Sequence, residues 1–347
     1  MSKWKIISIV ASSTVGAIVL SLIVLTIISH KVYRRSLMAT LVVFFFRLTV
    51  HHKRDSQVLA DVKYLPLKND VPYQVPVRAR TKKQNRQEYN GMTVIFVNMQ
   101  PNSDRVVIYL HGGGYVRQPR LYHWKYLNKL ANRVGNLVVP IYPKAPNHHP
   151  EEVFELMTEF YKELLEKYST VVLMGDSSGG GLALSLCQQW GEMGLRQPEK
   201  TILFSPWVDL TLSNPEIDEY QKVEPLISAP SERIWAKVWA QDVALTDWRI
   251  SPLYGPMDKL GEVLLYSGDR EILYPDLCKL YEVMKQNGVN VKFIVGRGMN
   301  HVYQVYPIPE AKKALNEVVK EITQLTDARE IPLFGKQAID TYYKLEE

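Results

Sequence analysis

The sequence predicts an α/β domain built on a mostly parallel sheet with helices on both faces. Three observations carry that prediction. Apolar β-type runs alternate with segments of helical periodicity along most of the chain. A glycine-flanked serine, Gly175-Asp176-Ser177-Ser178-Gly179, stands between a strand-like run at 171–174 and a helical pattern at 180–190. A glycine triplet, His111-Gly112-Gly113-Gly114, follows a second strand-like run at 105–110. A strand, a turn too tight for large side chains and then a helix together lift a serine clear of a sheet edge, which is the setting of a nucleophile elbow. Glycines beside it allow backbones to approach where a Cβ has no room. The two motifs together read as an esterase-type hydrolase.

The elements follow in order. Residues 92–98 and 105–110 read as strands, 122–134 as helix, 137–142 as strand and 150–168 as helix. Strand 171–174, helix 180–190 and strand 201–204 come next, then the pairs 263–266 with 276–287 and 291–295 with 310–325. Residues 92–98 precede the first βα unit and are expected as an antiparallel edge strand. Between 207 and 256 the rhythm breaks, and Trp207, Trp235, Trp239, Trp248 and Tyr254 are scattered among prolines and acidic residues. An insertion of that length suggests a lid or binding element; the alternative is that these aromatics are ordinary core. The spacing of Ile234, Val238 and Gln241 predicts an amphipathic helix over 231–242.

The front of the chain carries a second signal. Residues 6–29 are uncharged, and twenty-four residues make a helix of about 36 Å, enough for a hydrocarbon core of about 30 Å. The run ends in His30-Lys-Val-Tyr-Arg-Arg35, which reads as a stop and favours an uncleaved anchor over a cleaved secretory signal. Lys31, Arg34, Arg35, Arg47, Lys53 and Arg54 outnumber Lys3 and Lys5, so the positive-inside tendency places the catalytic part in the cytoplasm. The apolar run at 36–46 is too short to span; it lies in the interface or packs as part of a cap. The expected organisation is an anchor at 1–30, a linker and N-terminal cap segment at 31–87, a catalytic domain at 88–330 with a cap insertion at 207–256, and a tail at 331–347.

Serine Oγ needs a base, and the base an orienting carboxylate. In this kind of fold the chain order is serine, acid, histidine. His301 is the only histidine after Ser177, on a glycine-containing loop that follows strand 291–295, and is expected to be the base. The loop after strand 263–266 offers Asp269, Glu271 and Asp276; the last suits a helix N-terminus.

These residues resemble the hormone-sensitive-lipase-like branch of the α/β-hydrolase superfamily, which includes carboxylesterases and arylacetamide deacetylases. Its members carry H-G-G-G, G-D-S-A-G-G and a G-x-x-D-x-L acid loop. Gly268-Asp-Arg-Glu-Ile-Leu273 matches the last with Glu271 in the acid's place, so Glu271 is preferred and Asp269 is the alternative. Tyr142-Pro-Lys-Ala-Pro146 is similar to the family's Y-R-L-A-P, and Ser205-Pro-Trp-Val-Asp-Leu-Thr211 to its post-strand segment. Gly180-Gly181 extends the elbow, and Ser178 stands for the usual alanine. The resemblance covers residues 89–325 and implies an α/β-hydrolase fold with a partly helical cap formed by the insertion and an N-terminal segment.

The expected chemistry is attack by Ser177 on an acyl carbonyl, with His301 taking the proton and Glu271 holding the imidazole. The N–H groups of Gly113, Gly114 and Ser178 are expected to form the oxyanion hole, with His111 and Gly112 pinning the loop and Asp176 acting as a hydrogen-bonding brace. A small apolar ester is the expected substrate, and membrane lipid the partner of the N-terminal helix. Deacetylation, lactone opening and acyl transfer use the same residues. A non-catalytic binding protein on this fold is disfavoured by the presence of His301.

The remaining composition excludes other classes. No cofactor is implied, because Gly112–Gly114 is followed by Tyr115 rather than by a dinucleotide or Walker pattern. His148 and His149 are adjacent and lack partners at metal spacing, so no metal site is expected. The net charge of +6 comes without a nucleic-acid-binding signature and suits anionic lipid headgroups. Cys187 and Cys278 fall in helical segments and read as buried thiols.

Overall fold

A computed structural model of the chain describes residues 19–50, 55–69 and 71–325. Its centre is an eight-stranded sheet formed by β1 (Gln84–Tyr89), β2 (Met92–Val97), β3 (Arg105–Leu110), β4 (Leu137–Pro140), β5 (Thr170–Asp176), β6 (Lys200–Phe204), β7 (Val263–Gly268) and β8 (Val291–Gly296). The strands lie in the order β1-β2-β4-β3-β5-β6-β7-β8. From β4 to β8 all pairs are parallel, whereas β2 is antiparallel to both β1 and β4. Residues 92–98 are therefore antiparallel as expected but not the edge. The edge is β1, which is polar and largely exposed on both faces, so it has no apolar alternation to reveal it. The sheet thus begins inside the segment expected to be linker.

Side chains on a strand alternate between faces, and the central strands are apolar on both. Val106, Ile108 and Leu110 enter one buried cluster while Val107 and Tyr109 enter the other. Helices α5 (Pro150–Lys167), α6 (Ser177–Glu192) and α9 (Tyr274–Gln286) close the first cluster; α4 (Leu121–Val134) and α10 (Pro309–Thr323) close the second. His149 caps α5 at its N-terminus and His148 contacts Glu152 one turn in, so both histidines are occupied locally.

The insertion contains α7 (Ile217–Gln221) and α8 (Ala229–Ala240). The buried stripe of α8 is Trp235, Ala236, Trp239 and Ala240, because its alanines let the helix approach closely and its tryptophans fill the gap. Ile234 and Val238 flank that stripe, and Gln241 is exposed beyond the helix end. Trp207, Trp235 and Trp239 join the main core, so these aromatics serve the core even within the insertion; Tyr254 is exposed.

At the front, α1 covers residues 19–31 and is followed by α2 (Leu37–Thr49) and α3 (Asp55–Asn69). Residues 6–18 of the expected anchor, Lys53 and Arg54 of its basic flank, and the tail at 331–347 lie outside the described residues. Among the described residues no helix is long and apolar enough to cross a membrane. Helix α2 buries Ala39 and Val43 and exposes Met38, Leu41, Phe44, Phe45 and Leu48. Ser36 caps it and donates through its N–H and hydroxyl to Glu310, at 2.6 and 3.0 Å. Arg35, read from sequence as part of a solvated basic flank, is instead buried: its guanidinium donates to the Gly298 carbonyl and to Thr40 Oγ1, both at 3.1 Å.

Candidate active site

The strand order reverses direction around β3: the chain goes to β4 on one side and then crosses to β5 on the other. At such a switch point the loops leaving the carboxyl ends of neighbouring strands part and leave a crevice. The loop after β3 is His111–Gly114, and the turn after β5 is Ser177. Their convergence comes from topology.

Ser177 is the first residue of α6 and has φ +51°, a strained conformation for a residue with a side chain, of order 1–3 kcal/mol. The turn holds because its surroundings leave no alternative. A Cβ on Gly175 would collide with the Gly179 backbone, and one on Gly179 with the Leu110 and His111 carbonyls.

His301 lies on the loop after β8, with Nε2 2.9 Å from Ser177 Oγ and Nδ1 2.6 Å from Glu271 Oε2. A carboxylate only accepts, so Nδ1 carries the proton and Nε2 is free to receive the serine hydroxyl. Glu271 is fully buried, and its other oxygen accepts from Ser205 Oγ at 2.8 Å, from the Gly268 N–H at 2.9 Å and from Ser267 Oγ. Burial opposes the charged imidazolium of His301, but the hydrogen bond and charge of Glu271, with Glu224 and Glu232 farther out, outweigh it and hold its pKa above the ordinary histidine value.

Asp269 is turned elsewhere and accepts from the Gly298 N–H at 2.6 Å. Asp276 sits in the first turn of α9, bonded to Asn214. Asp176 joins the two motifs. It accepts from the Gly112 N–H at 2.9 Å, Tyr109 OH at 2.8 Å and His123 Nε2 at 3.2 Å. Burial would raise its pKa, but the charge and hydrogen bond of His123, with the other two donors, hold the carboxylate below the ordinary aspartate range.

His111 is buried, stacks on Tyr142 with ring centres 4.7 Å apart and bonds through Nδ1 to the Gly112 carbonyl at 2.8 Å. Burial, reinforced by Lys144, keeps it well below the usual histidine pKa and so neutral. Gly113 and Gly114 have φ +139° and +64°, which suits glycine, and both line the cavity above Ser177. Ser178 is buried at the start of α6.

That cavity measures about 270 Å³. Its walls include Val50 and Val58 from the N-terminal segment and Leu226, Ile227, Glu232 and Trp235 from the insertion. Two further groups had no legible signal in sequence. Glu224, from the insertion, is buried against the histidine loop: its Oε2 accepts from the His301 N–H at 3.3 Å and its Oε1 from the Leu226 N–H at 2.7 Å. Desolvation pushes its carboxyl up to about 8 against the pull of His301 and these N–H groups. Ser205 and Ser267 stood inside motif segments but not in a pattern that marks supports of a carboxylate.

The family described by the alpha/beta hydrolase fold matches residues 107–305. An esterase of Acinetobacter venetianus is 30% identical over 66% of this chain and 78% of its own length. An acetyl-hydrolase of Streptomyces hygroscopicus is 28% identical over 64% of this chain and 77% of that protein. Among solved structures, a Staphylococcus aureus protein superposes with a TM-score of 0.75 at 30% identity, covering 83% of this chain and 97% of that one. An esterase of the bacterial hormone-sensitive lipase family shares the fold, with a TM-score of 0.69 at 24% identity over 82% of this chain and 96% of that one. The chain belongs to the α/β-hydrolase fold family. Within it, this protein is an esterase-type hydrolase.

Proposed function

We propose that this protein is a membrane-anchored serine esterase in which Ser177 is the nucleophile, His301 the general base and then acid, and Glu271 the orienting carboxylate. The observation that carries the reading is the continuous relay from Glu271 Oε2 through His301 to Ser177 Oγ, at 2.6 and 2.9 Å. Ser177 attacks the acyl carbonyl as its proton passes to His301 Nε2. Glu271, which keeps its own charge, stabilises the imidazolium. The tetrahedral oxyanion is taken up by the N–H groups of Gly113, Gly114 and Ser178, each worth about 3 kcal/mol in such a site. Collapse expels the alcohol, protonated by His301; water then repeats the sequence on the acyl-enzyme. A cavity of about 270 Å³ suits a short acyl ester.

The anchor is supported by the uncharged stretch at 6–29 and by the outward apolar faces of α1 and α2, on which Leu22, Ile23, Phe44 and Phe45 are exposed. The basic residues after the stretch favour a cytoplasmic catalytic domain. A fluorophosphonate probe and a p-nitrophenyl ester series from acetyl to palmitoyl test the chemistry. Labelling at Ser177 that is lost in Ser177→Ala, with turnover highest on the short esters, is the expected result. Labelling that persists at another serine refutes it.

A further inference from the structure

The cavity above Ser177 has a mixed lining. Val50, Val58, Leu226 and Ile227 are apolar, whereas Arg117, Ser231 and Glu232 bring polar groups to it. Arg117 follows the glycine loop by three residues, and its guanidinium carbon lies 4.4 Å from the centre of the Trp235 ring. This cation–π contact holds the guanidinium against the ring. Glu232 sits one turn before Trp235 on α8.

Arg117 Nη1 and Glu232 Oε2 each lie 3.8 Å from the point a Cβ on Gly114 would occupy. Both therefore face the loop that would hold the oxyanion. Among the described residues neither side chain has a hydrogen-bond or ion-pair partner, and the two do not close on each other. Desolvation disfavours the charge on both, lowering the pKa of Arg117 and raising that of Glu232; their mutual attraction offsets only part of it. A half-buried donor set and a half-buried acceptor, a short distance apart on one cavity and without a protein partner, are placed to be bridged by a group of the substrate.

The bridging group must accept from Arg117 and donate to Glu232. A carboxylate would be repelled by Glu232 and an ammonium by Arg117. A neutral hydroxyl satisfies both. We propose that Arg117 and Glu232 form a subsite for a hydroxyl beside the reacting ester, so that the preferred substrate is a short acyl ester of a polyol or sugar. The inference rests on the esterase reading of the same cavity, and it replaces a wholly apolar substrate with one that has a polar alcohol part.

The test compares glycerol monoacetate with p-nitrophenyl acetate on the full-length chain in detergent. A hydrogen bond to a charged group corresponds to about ten- to hundredfold in affinity. Arg117→Met keeps the stem against Trp235, and Glu232→Ala removes the acceptor. Each should lower kcat/KM on glycerol monoacetate at least about tenfold more than on p-nitrophenyl acetate, chiefly through KM. Glycerol should also inhibit the wild type more strongly than either variant. Equal losses on the two esters, or a wild type with no preference for the hydroxylated one, would overturn the subsite. Absence of both p-nitrophenyl acetate turnover and Ser177 labelling would instead overturn the esterase reading beneath it.

Discussion

The shelf that carries Ser177 and the wall that faces it are built by different means. On the shelf, β3, β5 and the glycine turns are packed so tightly that added Cβ atoms at Gly175 or Gly179 meet backbone, and Asp176 ties both loops to one carboxylate. The wall is assembled from side chains of helices and the loops beside them, Val50 and Val58 at the front and Leu226 to Trp235 in the insertion, and shelf and wall meet through contacts such as Glu224 on the His301 N–H. A backbone shelf holds reacting atoms to within fractions of an ångström, as catalysis requires. A side-chain wall can be re-cut without disturbing the turn behind it. Damage to the shelf should therefore remove turnover, and damage to the wall should reshape it.

The sharpest break is at the shelf. His301→Ala should cost about 10⁵–10⁶ in kcat, as loss of a single serine or histidine does in a unit that acts together, measured on a soluble ester. Turnover close to wild type would place the base elsewhere. Next comes the acid. Glu271→Gln should lower kcat by about 10³–10⁴, because the imidazole loses its tautomer and its counter-charge. Asp269→Asn should cost far less, since Asp269 only accepts from the Gly298 N–H. Reversed magnitudes in steady-state assays would exchange their roles.

The pH profile sharpens the comparison further. In the proposed mechanism His301 must be neutral to accept the serine proton, and its pKa is held above the ordinary histidine value. The acid limb of kcat/KM should therefore have a midpoint above about 6.5 and fall as pH falls through it. Glu224→Gln, a change in the wall, should leave that midpoint nearly in place and cost about tenfold or less, because a carboxyl pushed up to about 8 is already largely uncharged near neutral pH. A midpoint that falls would mean that Glu224 carries its charge beside His301 at that pH. The smallest effect is expected from deleting residues 1–30. Membrane association should drop in sedimentation while soluble-ester turnover stays within about twofold, and any binding that remains reports the outward face of α2. Cutting at residue 60 removes Val50 and Val58 from the wall together with the Arg35 and Ser36 contacts under the His301 loop, and should impair every ester, bulkier ones most.

The shelf was legible in the sequence because its chemistry demands glycines at fixed offsets and apolar strands before them. The wall was not. Arg117 and Glu232 lie 115 positions apart and meet only because α8 folds over the loop after β3, and Glu224 is an ordinary acidic residue until the fold buries it. The strand β1 escaped notice for the opposite reason, being exposed on both faces and therefore polar throughout. Arg35 shows the same limit: a basic residue after an apolar run reads as a flank, and only the distant Gly298 carbonyl turns it into a buried support.

That support bears on how the protein is made. Arg35 bonds to a residue 263 positions later and Ser36 to one 274 positions later, while a Cβ on Gly298 would strike the Tyr33 carbonyl. The segment at 33–36 is thus the seat of a loop synthesised long after it, and contacts so far apart in sequence form late because long loops must close before they gain anything. During translation the elbow can fold around Ser177 while the loop that carries His301 is still unmade. In the proposed mechanism the nascent chain then holds a nucleophile without a base, and hydrolysis begins only once the segment at 33–36 has met the loop of His301.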